Sequence, residues 1–268
     1  MKEIAIRAAS GAVYAGLVIG AAYLGHGATA LLFLPIAALA AREWHRLQWP
    51  KAAPAPSMLS GLLVTVVSYA AIAWMPLFPA PHFPMALACV LGAMLITVFA
   101  VLRSGFPTPA GAISYFAALV LFIALPMACA PLMAMEGNIL IGFMLLLWAN
   151  DTGAYLVGRA IGRTKLMPKV SPGKTVEGLL GGLILTLVGA WVVARWVDAE
   201  LDAGTWLIAA PFITLSATIG DLLESAMKRA AGVKDSGTLM PGHGGVLDRF
   251  DGYLLAAPVM VVLALLLK

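Results

Sequence analysis

The charged and polar residues between Gly220 and Asp251 are the part of this chain best suited to chemistry. The stretch carries five carboxylates and four cationic side chains, although 62% of the chain is hydrophobic and only 11% is charged. Charges set between apolar segments are costly unless they are paired or bind an ion, so we expect a functional site here. Carboxylates beside lysines and arginines are suited to hold a divalent cation together with a polyphosphate.

Helical spacing places these residues on common faces. Four of them stand at i, i+3, i+4 and i+7 and so share one face of a helix: Asp221, Glu224, Ser225 and Lys228. Asp248 and Asp251 are three residues apart and can point the same way from the start of the next helix. The cations beside these acids are Lys228, Arg229, Lys234 and Arg249.

A glycine-rich loop, Pro241-Gly242-His243-Gly244-Gly245, separates the two groups. It cannot continue a helix, and its glycines allow the backbone to approach a ligand closely with exposed N–H groups. We therefore expect Gly244 and Gly245 to lie at a ligand. His243 could titrate or contact a phosphate, although loop structure alone can also require this sequence.

A second polar block follows Asn150. Asp151, Tyr155 and Arg159 share one helical face there. At its end, backbone donors at a helix start, two hydroxyls and a lysine form a suitable anion site. We predict that this group binds phosphate: Ser171, Lys174, Thr175 and Glu177. It is not a P-loop, because Pro168 stands where that motif has glycine and no strand is expected before it.

The composition excludes a soluble protein, because the mean hydropathy is +0.95 and long apolar runs recur along the chain. We predict an all-α polytopic membrane protein, in which residues 1–268 form one integral membrane domain. Residues 1–135 would be scaffold spans, and residues 136–268 the catalytic spans and loops. Prolines inside the spans should kink helices without ending them. The nine predicted spans are 5–24, 27–43, 58–77, 84–102, 111–133, 138–157, 176–196, 205–224 and 249–267.

The lysines and arginines predict the orientation. With the N-terminus in the cytoplasm, fifteen of the seventeen fall in inner segments, and only Arg195 and Lys268 fall outside. The acidic loop 198–202 would lie on the outer side, and the polar blocks and the active site would face the cytoplasm. The basic balance therefore indicates lipid head groups and a nucleotide as partners, with no nucleic acid. A cleavable signal peptide at residues 1–25 is the alternative to a first span.

The polar residues resemble the signature of phosphatidate cytidylyltransferases (CDP-diacylglycerol synthases). The resemblance rests on Ser225-Ala-Met-Lys228-Arg229, on Lys234-Asp235-Ser-Gly237, and on the run from Pro241 to Asp251. The segments NDTGAYLVGRAIGRTKL and SPGKTVEGLLGG are similar to the other polar block of that family. Met240 stands at a position where the signature of that family more often has Leu, Ile or Phe. The N-terminal half is similar only as a set of apolar spans, with Arg7 and Glu43 in compatible places.

The resemblance implies Mg²⁺-dependent transfer of CMP from CTP to phosphatidic acid, with CDP-diacylglycerol and pyrophosphate as products, in the bacterial cytoplasmic (inner) membrane. Metal ligands would be Asp221, Asp248 and Asp251, in a two-cation site that can include K⁺. The four cations would neutralise the triphosphate and the leaving pyrophosphate, and Asp151 would orient a basic residue or a water. The other substrate contacts would include Ser225, Lys234, Asp235 and the Ser171–Thr175 group, which would bind either the lipid phosphate or CTP.

Geometry supports a lipid substrate. A helix running from Asp248 to Leu267 would be about 30 Å long, which places Asp248 and Asp251 at the inner hydrocarbon boundary, where a lipid phosphate lies. The small-residue stretch from Gly11 to Gly20 permits close helix packing and allows a homodimer.

Two other kinds of function remain open. A polyprenol kinase or an ether-lipid cytidylyltransferase would share the metal site and differ in the acceptor. An ion-coupled transporter would place its charges near the midplane and show an inverted repeat, whereas these charges cluster at one face and no repeat is visible.

Overall fold

The computed structural model describes residues 2–49, 57–77, 109–238 and 244–267, and most of them are helical. Within these ranges, two shorter apolar helices, Gly11–Tyr23 and Met58–Trp74, accompany six that are long and apolar enough to cross a membrane. This confirms the all-α membrane character of the chain, while the predicted span at 84–102 lies outside the described residues. The six long helices are His26–Gln48, Ala110–Met133, Ile139–Ile161, Val176–Trp196, Ala203–Ala230 and Leu247–Leu267.

The chain divides into two compact units, each made of two segments that alternate along the sequence. The first comprises Met1–Leu132 and Asp235–Arg249, and the second Met133–Lys234 and Phe250–Lys268. The helices of the first unit are α1 (Lys2–Tyr23), α2 (His26–Gln48), α3 (Met58–Trp74), α4 (Pro109–Leu119) and α5 (Leu125–Met133). A 3₁₀ turn, Met75–Leu77, follows α3, and α2 packs against both α1 and α3.

The second unit contains α6 (Ile139–Ile161), a β-hairpin of β1 (Lys165–Met167) and β2 (Ser171–Thr175), α7 (Val176–Trp196), α8 (Ala203–Ala230) and α10 (Tyr253–Leu267). The short helix α9 (Leu247–Phe250) contains the border between the units along the chain. Helices α6 and α7 pack closely, since a Cβ on Gly153 would lie 2.5 Å from the Gly181 carbonyl oxygen. Small residues thus bring the two backbones together.

Prolines occur inside helices, as predicted. Helices α2, α8 and α10 continue through Pro35, Pro211 and Pro258. Between α4 and α5 the helix widens into a π turn, Val120–Ala124. Pro126 explains this turn, because its ring clashes with the carbonyl four residues earlier in a regular α-helix.

The hairpin departs from the all-α prediction. Its strands are antiparallel, with Lys165 opposite Thr175 and Met167 opposite Ser171. Pro168 and Pro172 lack the N–H groups that a helix would use here, which favours extended backbone. A strand therefore does precede the Gly173-Lys174-Thr175 triplet, contrary to the expectation from sequence, although Pro168 still excludes a P-loop.

The connection between α7 and α8 is held by acids. Asp202 caps α8, accepting a hydrogen bond from Thr205 N at 2.6 Å, and this bond holds the pKa of the Asp202 carboxyl below its usual range. Asp198, in the acidic loop 198–202, is only 2% exposed. Its carboxylate accepts bonds from Asn138 N, Leu201 N and Trp206 Nε1.

Candidate active site

The hairpin is fastened to the start of α7 by polar side chains. Thr175 is the N-cap of α7, and its Oγ1 accepts a hydrogen bond from Gly178 N at 3.1 Å. The Glu177 carboxylate accepts bonds from Arg163 N and Thr164 N, each at 3.1 Å. These contacts fix the direction in which β2 enters the helix.

These hydrogen bonds occupy some of the backbone N–H donors that the predicted phosphate site was expected to offer to an anion. The N–H of Gly178 is bonded to Thr175, and the N–H of Val176 donates to Thr164 O. Glu177 carries negative charge and serves the hairpin backbone. Of the predicted group, the half-buried Lys174 and Ser171 are therefore the side chains best placed to meet an anion.

Lys174 pairs with a predicted metal ligand. Its Nζ lies 2.5 Å from Asp221 Oδ2, and both side chains are only partly exposed. The other carboxylate oxygen, Oδ1, accepts a hydrogen bond from Ser225 Oγ at 3.1 Å. The structure thus brings together three residues that the sequence selected from two separate polar blocks.

Further acids surround Asp251. Its carboxylate lies within electrostatic range of those of Asp221, Glu224 and Asp151. Helix α8 runs close to this turn, since a Cβ on Gly220 would lie 2.5 Å from the Asp251 carbonyl oxygen. Clustered carboxylates repel one another unless a cation balances them.

Lys228 and Glu224 form a second ion pair on α8. The Lys228 ammonium lies 2.8 Å from Glu224 Oε2, and both side chains are almost fully buried. The other predicted cations of this region are exposed: Arg229, Lys234 and Arg249. Asp235 is exposed as well, and Arg229 donates to Val233 O at 3.1 Å.

In the first unit, Asp248 is 9% exposed and holds its own loop together. Asp248 Oδ2 accepts bonds from Ser236 N, Ser236 Oγ and Gly245 N, at 2.8, 2.9 and 2.7 Å. Asp248 lies in α9, whereas Asp251 lies in the turn before α10. A two-residue turn at positions 251 and 252 separates α9 from α10, and the two helices together make up the candidate span Leu247–Leu267, at whose start both acids lie.

Glu43 was noted in the sequence only as an acid in a place compatible with the resemblance, and no role was assigned to it. It is 6% exposed, and its carboxylate accepts hydrogen bonds from the two residues just before Asp248. Glu43 Oε1 accepts from Val246 N, and Oε2 accepts from Leu247 N and Ser236 Oγ, each at 2.9 Å. Two sequence signals pointed to Glu43: it is an acid within an apolar helix, AREWHRL, and its place is compatible with the family resemblance.

The glycines of the loop have a packing role as well. A Cβ on Gly244 would lie 2.5 Å from Asp248 Oδ2, and the φ of Gly244 is +79°. A Cβ on Gly245 would collide with Glu43 Oε2 and Ser236 Oγ. Close approach to the protein's own carboxylates thus requires these two glycines, and their predicted contact with substrate stays a prediction. His243 lies outside the described residues.

The predicted partners of Asp151 are only partly brought together. Asp151 is exposed and accepts a bond from Asn150 Nδ2 at 3.3 Å. On the same helix, Arg159 Nη1 donates to Tyr155 OH at 2.8 Å. Helical spacing therefore predicted the Tyr155–Arg159 contact correctly.

The chemistry of these side chains suits a hard cation. Within the described ranges, no group of three or more His, Cys, Asp or Glu side chains is close enough to form a ready-made metal site. Asp221 and Asp251 nevertheless supply carboxylate oxygens within one unit, which are the ligands that Mg²⁺ prefers. Because Mg²⁺ is usually bound by one or two carboxylates plus substrate phosphates, this donor set fits it.

Fold and site together define an integral membrane protein whose polar residues are suited to bind phosphates and a cation. The chain belongs to the cytidylyltransferase family, because the model of that family matches residues 5–267. This confirms the resemblance found in the sequence.

Curated relatives point the same way. Phosphatidate cytidylyltransferases of Staphylococcus haemolyticus, Staphylococcus saprophyticus and Staphylococcus aureus (strain COL) are 45%, 46% and 44% identical to the chain over 119 residues. The match covers 44% of this chain and 46% of each relative, so it spans about half the length of these proteins.

Proposed function

We propose that this protein transfers CMP from CTP to phosphatidic acid, forming CDP-diacylglycerol and pyrophosphate. The family membership and the names of the relatives support this proposal. The observation that carries it is the 2.5 Å contact between Lys174 and Asp221, beside the acid Asp251. A candidate phosphate-binding cation thus lies beside a candidate metal ligand, which is the arrangement that nucleotidyl transfer would use.

The reaction needs positioning and charge neutralisation more than covalent help. A phosphate oxygen of phosphatidic acid attacks the α-phosphorus of CTP, and the bond from that phosphorus to the bridging oxygen of the β-phosphate breaks. The electron pair of that bond leaves with pyrophosphate. Lys174 and Lys228 would neutralise phosphate charge, with Arg229, Lys234 and Arg249 on the exposed side. The attacking oxygen is already nucleophilic, so no serine or histidine base is required.

Mg²⁺ is part of the proposal. Asp221 and Asp251 would hold it, together with Asp248 on the grounds of the sequence signature. When bound, Mg²⁺ supplies charge neutralisation to the phosphates of CTP. Ser225 would keep the Asp221 carboxylate in its orientation, since its hydroxyl donates to Oδ1. K⁺ as a second cation and a homodimeric state belong to the same proposal.

The topology is proposed as well. Nine spans with a cytoplasmic N-terminus and an outer C-terminus, in a bacterial inner membrane, would place the reaction at the cytoplasmic face. The polar clusters at the end of α8 and in the hairpin support this arrangement, because inner loops concentrate lysine and arginine. Thiol labelling of single cysteines at positions 200 and 234 in sealed vesicles tests it, and labelling of both from the same side would contradict it.

The decisive experiment measures pyrophosphate release from CTP by the purified protein in detergent. Phosphatidic acid and Mg²⁺ are each omitted and then titrated. Asp221→Asn is run beside the parent, with Glu200→Gln as a matched control at an exposed acid. Release that requires both additions, is lost in Asp221→Asn and is kept in Glu200→Gln supports the proposal. A folded protein that releases pyrophosphate only with a prenol or an ether lipid, or not at all, contradicts it.

A further inference from the structure

Glu43 is a buried carboxylate that neither the sequence signature nor the proposed metal set includes. It lies on α2, about 200 positions before its hydrogen-bond partners in the chain. Burying a carboxylate is costly unless hydrogen bonds compensate it. Here the compensation is specific: Oε1 and Oε2 accept from the successive N–H groups of Val246 and Leu247, at 2.9 Å each.

The fit around Glu43 is tight on two further sides. A Cβ on Gly237 would lie 2.6 Å from Glu43 Oε1, and one on Gly245 would collide with Oε2. Glycine at both positions therefore leaves room for this carboxylate. The two glycines flank positions 238–244, and the hydrogen bonds of Ser236, Val246 and Leu247 to Glu43 hold the chain on both sides of that segment.

Ser236 links Glu43 to Asp248. Its Oγ lies 2.9 Å from Glu43 Oε2 and 2.9 Å from Asp248 Oδ2. A serine hydroxyl carries one proton and can donate to one of these oxygens at a time. The backbone N–H of Ser236 also donates to Asp248 Oδ2, at 2.8 Å. The orientation of the Asp248 carboxylate thus depends on Ser236, and the place of Ser236 depends on Glu43.

We propose that Glu43 is a positioning residue for the cytidylyl transfer, acting through Ser236 and the start of α9 to fix the carboxylate of Asp248. The inference rests on the proposed function, in which Asp248 takes part. It gives α2, a predicted scaffold span, a direct role in the site. A hydrogen bond that orients a ligand side chain typically changes activity by about 10- to 100-fold when it is removed.

Glu43→Gln tests the role, because an amide nitrogen would face a backbone N–H where a carboxylate oxygen now accepts. We expect kcat to fall by about 10- to 100-fold, while the KM for CTP stays within about threefold, as for an interaction used mainly in the transition state. Ser236→Ala keeps the backbone contacts of Glu43 and should lower kcat less. The double variant should be no worse than Glu43→Gln alone, because the position of Ser236 already depends on Glu43.

Two controls separate the possible failures. Glu200→Gln removes an exposed acid and should leave kcat unchanged. Hydrogen–deuterium exchange across residues 235–249 does not depend on activity, and Glu43→Gln should speed it while the rest of the protein stays protected. Parent-like kcat in Glu43→Gln, or unchanged exchange in that segment, overturns the inference. If the parent releases no pyrophosphate from CTP and phosphatidic acid, the proposed function fails, and the exchange result alone then decides whether Glu43 holds the segment.

Discussion

Lys174 Nζ lies 2.5 Å from Asp221 Oδ2, so a lysine of the β-hairpin neutralises an acid of α8. The two residues were predicted to bind opposite ligands, a phosphate and a metal ion. In the proposed reaction the metal would approach Asp221 and the phosphate would approach Lys174, and the ion pair would exchange one partner for another. Binding of cation and anion would therefore be coupled through this contact.

Lys174→Gln should separate the effect of Lys174 on metal binding at Asp221 from its effect on phosphate binding. Removing the lysine leaves Asp221 without a competing cation, so we expect Mn²⁺, measured by electron paramagnetic resonance without nucleotide, to bind about fivefold more tightly. This corresponds to about 1 kcal/mol for a partly exposed ion pair. The kcat/KM for the complete reaction should nevertheless fall by about 100-fold, because a phosphate-binding charge is lost. Lys169→Gln, at an exposed lysine of the hairpin turn, is the matched control.

Exchanging the charges of Lys174 and Asp221 tests whether their ion pair serves stability or activity. Lys174→Asp combined with Asp221→Lys keeps opposite charges in contact, so it should recover thermal stability relative to either single variant. We expect no recovery of activity, since neither charge would face its ligand. Recovered activity would show that the pair is only a structural brace.

Thr175 can be tested for a role beyond capping α7. Thr175→Ala should lower stability by about 1 kcal/mol, the usual cost of losing an N-cap. Thr175→Asp keeps a capping oxygen but places a carboxylate at a position that is 5% exposed, so the melting temperature should fall below that of the parent. We expect its kcat/KM to fall, because a negative charge beside Lys174 repels a phosphate. Parent-like kinetics in Thr175→Asp would limit Thr175 to the cap, and Thr175→Ser serves as the conservative control.

Local spacing predicted part of this site well. Apolar runs predicted the membrane helices, and the one-turn rule predicted the contacts of Asp221 with Ser225 and of Lys228 with Glu224. These contacts depend on one helix only, so the sequence contains the information needed. The two-residue turn between α9 and α10, at positions 251 and 252, was not predicted, because the last span appears in the sequence as one apolar run.

Contacts between distant segments could not be predicted in this way. Glu43 and Val246 are 203 positions apart, and the local sequence AREWHRL does not indicate which residue binds Glu43. The hairpin was missed because its strands are short and lack alternating apolar residues. The predicted approach of Gly244 and Gly245 to a ligand stays a prediction, and what the structure shows is that a side chain at either position would collide with the protein's own carboxylates.

The buried ion pair of Glu224 and Lys228 should contribute mainly to the stability of the folded protein. Glu224→Gln removes the counter-charge from a nearly buried ammonium, which costs about 3 kcal/mol in similar cases. We expect the melting temperature in detergent to fall by about 10 °C. Replacing both residues, as Glu224→Gln with Lys228→Met, should restore most of the stability but not the activity, if Lys228 neutralises phosphate. A double variant that turns over like the parent would remove Lys228 from the proposed mechanism.

Asp198 offers the opposite outcome, an acid that supports the fold without serving the reaction. Both of its carboxylate oxygens accept N–H donors, from Asn138 and from Leu201 with Trp206. In Asp198→Asn one oxygen becomes an NH₂ group facing a donor, so stability should fall by about 2 kcal/mol. The activity of the folded fraction should not change, because Asp221 lies about 27 Å from the first residue of α8 along the helix axis. Thermal melts and kcat at a temperature well below the transition measure the two effects separately. A large loss of kcat in a folded Asp198→Asn protein would show that this end of α8 is coupled to the site.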